Sequence, residues 1–147
     1  AKNIKENEAK NFIFGFCLVN DLTEREWQFD KLGQWVKGKS ADTFGPIGPY
    51  LVTPDEISDV QNLNMSLDVN GKRMQTGNTN KMIFKINFIV SYLSKFMTLM
   101  PGDIITTGTP PGVGMGRKPA VYLKDGDKIK LSIDNLGEQF HEVKQEV

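Results

Sequence analysis

The chain has 147 residues, one domain's length, with 39% hydrophobic and 24% charged residues, a globular and not a disordered balance. Eighteen Lys and Arg offset eighteen Asp and Glu, so the formal net charge is zero, and no Lys/Arg run forms a local patch; this argues against a nucleic-acid binder driven by phosphate neutralisation. No apolar stretch reaches the roughly 18 residues of a membrane span, and a single cysteine and a single histidine exclude a disulfide framework, a cysteine-based zinc site and any mechanism needing two histidines of this chain.

The chain begins at Ala1 without an initiator Met, in a polar, helix-compatible run with no targeting character, and is read as an N-terminally truncated, partial domain over 1–147. Phe12 to Val19 is short, apolar and aromatic-rich, a buried strand whose Cys17 is a packed thiol. Thr23 is placed to cap a short helical turn running to Gln28. Lys37 to Pro49 is punctuated by Gly38, Gly45, Pro46, Gly48 and Pro49 and reads as a loop; Tyr50 to Thr53 is a short strand that Pro54 stops.

Leu63, Met65, Leu67 and Val69 alternate with polar residues along a half-buried strand, Asn70-Gly71 is a hairpin signal, and Lys72 to Gln75 is the returning strand. Ile86, Ile89, Val90, Leu93, Phe96 and Met97 form an apolar stripe on a helix over 87–99, most simply a core face, which Pro101-Gly102 ends. Asp103 to Thr107 reads as a strand entering a Gly/Pro-rich loop, and Lys128 to Ile133 with Glu138 to Val143 closes a last hairpin around Asn135-Leu136-Gly137. The expected architecture is α+β and β-dominated.

Three clusters carry possible chemistry. In Asn20-Asp21-Leu-Thr23-Glu-Arg25-Glu-Trp-Gln28, Arg25 and Gln28 lie three apart on one face of a helical turn. Arg25 suits a bidentate grip on a carboxylate, Gln28 a neutral hydrogen bond and Asp21 a hard cation; a solvated turn with a surface ion pair explains the same residues. In Gly38-Lys39-Ser40-Ala-Asp42-Thr43, Lys39 sits where a glycine lets the backbone approach a ligand, and it supplies a fixed positive charge. Gly33 to Ser40 matches the bare phosphate-loop pattern, but Trp35 is bulky, no parallel strand precedes it and no helix pattern follows Ser40, so a nucleotide site is rejected. In Thr106-Thr-Gly-Thr109-Pro-Pro-Gly112, hydroxyls and free N–H groups suit an anion, or simply line a wide loop. His141 reads as a surface residue of the last strand.

Taken together and in order, the motifs resemble the catalytic domain of the fumarylacetoacetate hydrolase family over nearly all 147 residues. The resemblance is carried by Asn20-Asp21-x-Thr23-x-Arg25-Glu26-x-Gln28, by Gly38-Lys39-Ser40-x-Asp42-Thr43-Phe-Gly45-Pro46-x-Gly48-Pro49, by Gly77-Asn78-Thr79 with Met82-Ile83-Phe84, by Pro101-Gly102-Asp103-Ile-Ile105, and by Thr107-Gly108-Thr109-Pro110-x-Gly112-Val-Gly114. The stretch from Thr106 to Leu123 and the ending Leu136-Gly137-Glu138-Gln139 are most similar to the 2,4-diketo-3-deoxy-sugar-acid hydrolase and ureidoglycolate lyase-like subgroup.

The resemblance implies a mixed, barrel-like β-roll, usually in a homodimer, and a divalent cation, Mg²⁺ or Mn²⁺, held by three carboxylates. Asp21 matches one; the other two belong to a Glu-x-Glu pair that Glu6-Asn7-Glu8 does not match in position, and His141 does not match the family's acid/base histidine. By the same resemblance Lys39 lies beside the metal, Arg25 and Gln28 contact the substrate, Thr109 binds its carboxylate and Thr43 supports Asp21 from behind. The implied activity is C–C bond hydrolysis of a 2,4-diketo acid through a metal-stabilised enolate. The alternatives are a decarboxylase, isomerase or hydratase of a 2-oxo acid, or a non-catalytic fragment or assembly module. The absence of a targeting signal in the visible chain gives a cytoplasmic expectation.

Overall fold

The computed structural model describes residues 1–30 and 33–145. Four strands, β1 (Asn64–Val69), β2 (Lys72–Asn78), β3 (Lys128–Ile133) and β4 (Gly137–Glu142), form a sheet of order β2-β1-β3-β4. Every one of these pairings is antiparallel, so the mixed roll implied by the resemblance is represented here by an antiparallel sheet. The Asn70-Gly71 turn joins β1 to β2 with φ of 51° and 76°, the two consecutive positive values that a tight hairpin of matching twist demands and that Asn-Gly tolerates. β2 runs three residues beyond the expected Gln75, because its pairing with β1 continues through Met65↔Gly77 and Asn64↔Asn78.

Register is set by the apolar face. Met65 opposes Ile133, Leu67 opposes Leu131 and Val69 opposes Ile129, and Leu67, Val69, Ile129, Leu131 and Ile133 of this row pack with Leu18, Val52, Ile57, Leu63 and Leu136. A slip of one residue would exchange these side chains for Ser66, Asp68, Lys130 and Ser132. Burying Ile129 and Leu131 contributes about 1.5–3 kcal/mol each relative to exposure. The opposite face is polar: the Ser66 and Ser132 hydroxyls are 3.1 Å apart, and Lys130 pairs with Glu138 at 3.0 Å.

The segment expected as a first buried strand behaves differently. Glu6–Phe12 is a 3-10 helix, and the chain beyond it makes only isolated antiparallel bridges, Phe16 to Val52 and Val19 to Ile47. The facing segment contains Pro46 and Pro49, which have no N–H to continue a ladder. Phe12 and Phe14 consequently remain exposed, Phe14 by 77%. Asp103 to Thr107 likewise pairs with nothing as a strand; alternation marks a candidate, and only a neighbour with free backbone groups makes it a strand.

Among the described residues two α-helices accompany the sheet. The expected loop at Lys37 instead begins inside a short helix, α1 (Trp35–Lys39). The second, α2 (Ile86–Phe96), stops three residues before the expected end. Its packed side carries Val90, which clusters with Ile4 and Ala9, and two buried serines. Ser91 Oγ donates to Ile4 O at 2.9 Å, and Ser94 Oγ accepts from Ile4 N at 3.1 Å, so this face docks the N-terminal segment by hydrogen bonds as well as contact. Phe96 and Met97, expected in the core, are exposed. Phe84, Phe88 and Tyr92 stack along the outside of α2 with successive centroids 5.0 and 5.7 Å apart, and Phe96 meets Tyr92 edge-on at 5.0 Å. Periodicity identifies an apolar face but not what covers it.

This aromatic ladder, continued by Ile83 at 91% exposure, is a large apolar surface for one domain. The 147-residue chain expressed by itself is therefore expected to self-associate. Sedimentation velocity checks this, and a single concentration-independent monomer boundary would contradict it. Among the described residues no helix is long and apolar enough to cross a membrane.

Candidate functional site

The first cluster is built by a buried amide on β4. Gln139 Nε2 donates to Leu18 O at 3.0 Å and to Gly48 O at 2.8 Å, fastening two irregular segments over the sheet. Asn20 N adds a bond to Pro46 O at 3.1 Å. These bonds replace the missing ladder, because a buried backbone carbonyl requires a partner. They fix the exit direction of the chain at Asp21. His141 gives its Nε2 to Gln139 Oε1 at 2.9 Å, so its observed role is to orient this anchor. Gln139 was legible only as part of a family-like ending; its buried position follows from facing Leu131 across the ladder.

Lys39 then reaches Asp21 across eighteen residues of sequence: Nζ donates to Oδ2 at 2.8 Å, with the side chains 30% and 47% exposed. α1 presents Lys39 from its last turn. It lies close to the Arg25 segment because Gly38 has no side chain: a Cβ there would stand 2.6 Å from Gln28 Cβ and 2.7 Å from Glu24 O. Glu24 N donates to Gly38 O at 2.9 Å.

Arg25 precedes a π-helical turn, Glu26–Asp30, and not the simple capped turn expected from Thr23. Its guanidinium donates to Gln28 Oε1 at 2.6 Å and lies 6.0 Å from the Phe29 ring centroid. Gln28 is 0% exposed and its Nε2 has no acceptor among the described residues, as is also true of Asn20 Nδ2. A buried amide donor without an acceptor costs about 1–3 kcal/mol, and Gln28, with no exposed surface, meets Arg25 rather than the solvent side of the site. Asp21 thus pairs with Lys39 and Arg25 with Gln28, and the two pairs adjoin where Gly38 packs on Gln28 and Glu24.

The remaining residues separate from these pairs. Thr43 has φ +67°, which a β-branched residue rarely adopts, and no hydrogen bond joins it to Asp21 among the described residues. Thr109 lies on the loop after Ile105, where its Oγ1 receives a hydrogen bond from Gln75 Nε2 at 2.7 Å. Arg117 fastens the far side of that loop to Met74 O at 2.5 Å. No hydrogen bond among the described residues connects Thr109 to either pair. Gln75 was not singled out in sequence, since nothing local distinguishes it from any polar residue of a hairpin. Cys17 is partly buried, and burial raises its thiol pKa, which keeps it protonated and a poor nucleophile.

Asp21 suits one oxygen ligand of a hard cation. The described residues contain no group of three or more His, Cys, Asp or Glu side chains able to hold a metal ion, so they do not by themselves complete a divalent-cation site.

Comparison with known proteins agrees with this architecture. The model of the fumarylacetoacetate hydrolase C-terminal family matches residues 1–144. A Burkholderia multivorans protein provisionally named as a hydrolase is 58% identical over 139 residues, covering 94% of this chain and 49% of its own length. A solved fumarylacetoacetate hydrolase from psychrophilic Exiguobacterium antarcticum superposes with a TM-score of 0.94 at 40% identity, covering 99% of this chain and 52% of the other. A maleylpyruvate hydrolase from Sphingobium sp. SYK-6, in complex with manganese(II) and pyruvate, gives 0.85 at 35% identity, with coverages of 99% and 49%. A 5-carboxymethyl-2-hydroxymuconate delta-isomerase from Mycobacterium smegmatis gives 0.88 at 34%, with 100% and 54%. The chain belongs to the fumarylacetoacetate hydrolase family, whose members include hydrolases and isomerases, and it spans about half the length of the curated relatives it matches.

Proposed function

We propose that the protein containing this domain hydrolyses a C–C bond in a 2,4-diketo acid. The observation that carries the reading is the Lys39–Asp21 ion pair, made across eighteen residues and adjoining the Arg25–Gln28 pair through the packing of Gly38 on Gln28. Water adds to the 4-carbonyl, the bond between C3 and C4 breaks, and the products are a carboxylic acid and the three-carbon 2-oxo acid after a proton returns to C3. Lys39 offsets the negative charge that builds on the enolate oxygen as the bond breaks. Arg25, held by Gln28, grips a polar group of the substrate, and the Thr109 hydroxyl with neighbouring N–H groups binds its carboxylate. Thr43 is assigned to support Asp21 from behind on the family resemblance alone.

A divalent cation, Mg²⁺ or Mn²⁺, would take Asp21 as one ligand and supply Lewis-acid polarisation of the 2-oxo carbonyl when bound. The manganese and pyruvate held by the maleylpyruvate hydrolase support this choice of cation and substrate class. The reading also includes a homodimer acting on a small molecule in the cytoplasm.

The test is the full-length protein incubated with a 2,4-diketo acid and Mn²⁺, with products followed by proton NMR. Equimolar pyruvate and carboxylic acid are expected. Keto–enol interconversion faster than the uncatalysed rate, without new acid, favours the isomerase reading, which the delta-isomerase relative supports; carbon dioxide release favours a decarboxylase. Either result overturns hydrolysis.

A further inference from the structure

We propose that Gln75 is a positioning residue that aims the Thr109 hydroxyl outward toward the substrate carboxylate, an inference that rests on the substrate-binding role proposed for Thr109. Gln75 Nε2 makes two bonds to the 109–110 loop: 2.7 Å to Thr109 Oγ1 and 2.8 Å to Pro110 O. The second bond decides the first. A carbonyl oxygen only accepts, so Pro110 O holds the nitrogen end of the carboxamide toward the loop and excludes the flipped amide. Both amide N–H groups are then donors to the loop, and Thr109 Oγ1 is obliged to accept. A hydroxyl has a single proton; with one lone pair engaged by Gln75, that proton is directed away from β2 and is available to an anion. A chain of donors of this kind also polarises the hydroxyl in the direction that favours an anionic acceptor.

The surroundings keep the pair in register. β2 is an edge strand, and the loop covers its open side. Arg117 donates to Met74 O at 2.5 Å and to Gly112 O at 3.2 Å. Gly112 has φ +114°, and a Cβ there would stand 2.2 Å from Met74 O, so the loop backbone lies directly on the strand. Gly77 admits Pro110 in the same way, with a Cβ position 2.6 Å from Pro110 Cβ. With loop and strand held at these points independently of Gln75, its amide sets hydroxyl direction more than loop position.

The test uses the full-length protein with Mn²⁺, with pyruvate as the binding probe and the 2,4-diketo acid as substrate. Gln75→Met, which keeps size and loses both donors, is expected to weaken pyruvate binding about five- to tenfold and to raise KM similarly, with kcat within about twofold. Thr109→Val is expected to produce the same loss, and Gln75→Met combined with Thr109→Val no more than Thr109→Val alone, because both remove one directed proton. Gln75→Glu can only accept from Thr109, turns its proton inward, and is expected to lose more than Gln75→Met; it also serves if Gln75→Met fails to fold. Additive losses in the double variant, or a Gln75→Glu protein that binds pyruvate as the parent does, overturn the positioning role alone. A Thr109→Val protein with unchanged pyruvate affinity overturns the substrate-binding role of Thr109, and the positioning role with it.

Discussion

In the full-length protein, Asp21→Asn is expected to remove most turnover while leaving the melting temperature nearly unchanged. The pair that Asp21 makes with Lys39 is partly exposed, and exposed ion pairs contribute about 0–1 kcal/mol to stability, so its loss does not unfold the domain. The substitution keeps shape and one oxygen but removes the negative charge proposed to face a cation. Lys39→Met is expected to leave cation affinity largely in place and to lower kcat, since its charge is proposed to act on the enolate formed during bond breaking and not on the bound substrate. Loss of one preorganised group of this kind costs about 2.7–4 kcal/mol, roughly a hundred- to a thousandfold in rate. Steady-state kinetics with calorimetric melting of both variants checks the pair. Wild-type kcat in both would remove Asp21 and Lys39 from the site and leave the family resemblance as a statement about fold.

Gly38→Ala carries the second large effect, and two forces of opposite sign act on it. Replacing a helix-interior glycine by alanine ordinarily gains about 1 kcal/mol, through restricted unfolded-chain entropy. Here the added methyl would meet Gln28 Cβ at 2.6 Å and Glu24 O at 2.7 Å, two groups of an adjoining segment and one of them backbone. Overpacking of this kind costs about 1–3 kcal/mol, so the clash wins and the melting temperature is expected to fall by several degrees. The shift pushes α1, and Lys39 with it, away from Arg25. A displacement near 1 Å at a positioned group costs about a hundredfold, so kcat/KM is expected to fall by that order. A Gly38→Ala protein that melts higher and keeps full activity would show that α1 is free to move and that its position does not set the site.

The hairpin at Asn70-Gly71, the alternation of Leu67 and Val69, and that of Ile129 and Leu131 were legible because each depends on neighbours two to four residues away: a turn needing positive φ, and a strand with one wet face. The order of the site motifs was legible as well, since Asn20-Asp21, Arg25, Gln28 and Lys39 lie within twenty residues. The segment from Phe12 to Val19 and the C-terminal end of the α2 stripe depart from expectation for one reason. Their apolar character is real, but whether it meets a ladder, a serine-lined contact or no cover depends on distant segments.

By itself, the sequence determined the local conformations that short-range sterics dictate, the α+β class and, through its motifs, the family. Only the tertiary structure decided which polar groups meet. Lys39 reaches Asp21 across eighteen residues, Gln75 reaches Thr109 across thirty-four, and Gln139 reaches Leu18 across 121. Such long-range hydrogen bonds leave no periodic trace, because a side chain's partner is set by the packing of the whole domain and not by spacing along the chain. The same packing buries Gln28 completely with an unsatisfied donor, which the residue's polarity alone would have placed at the surface.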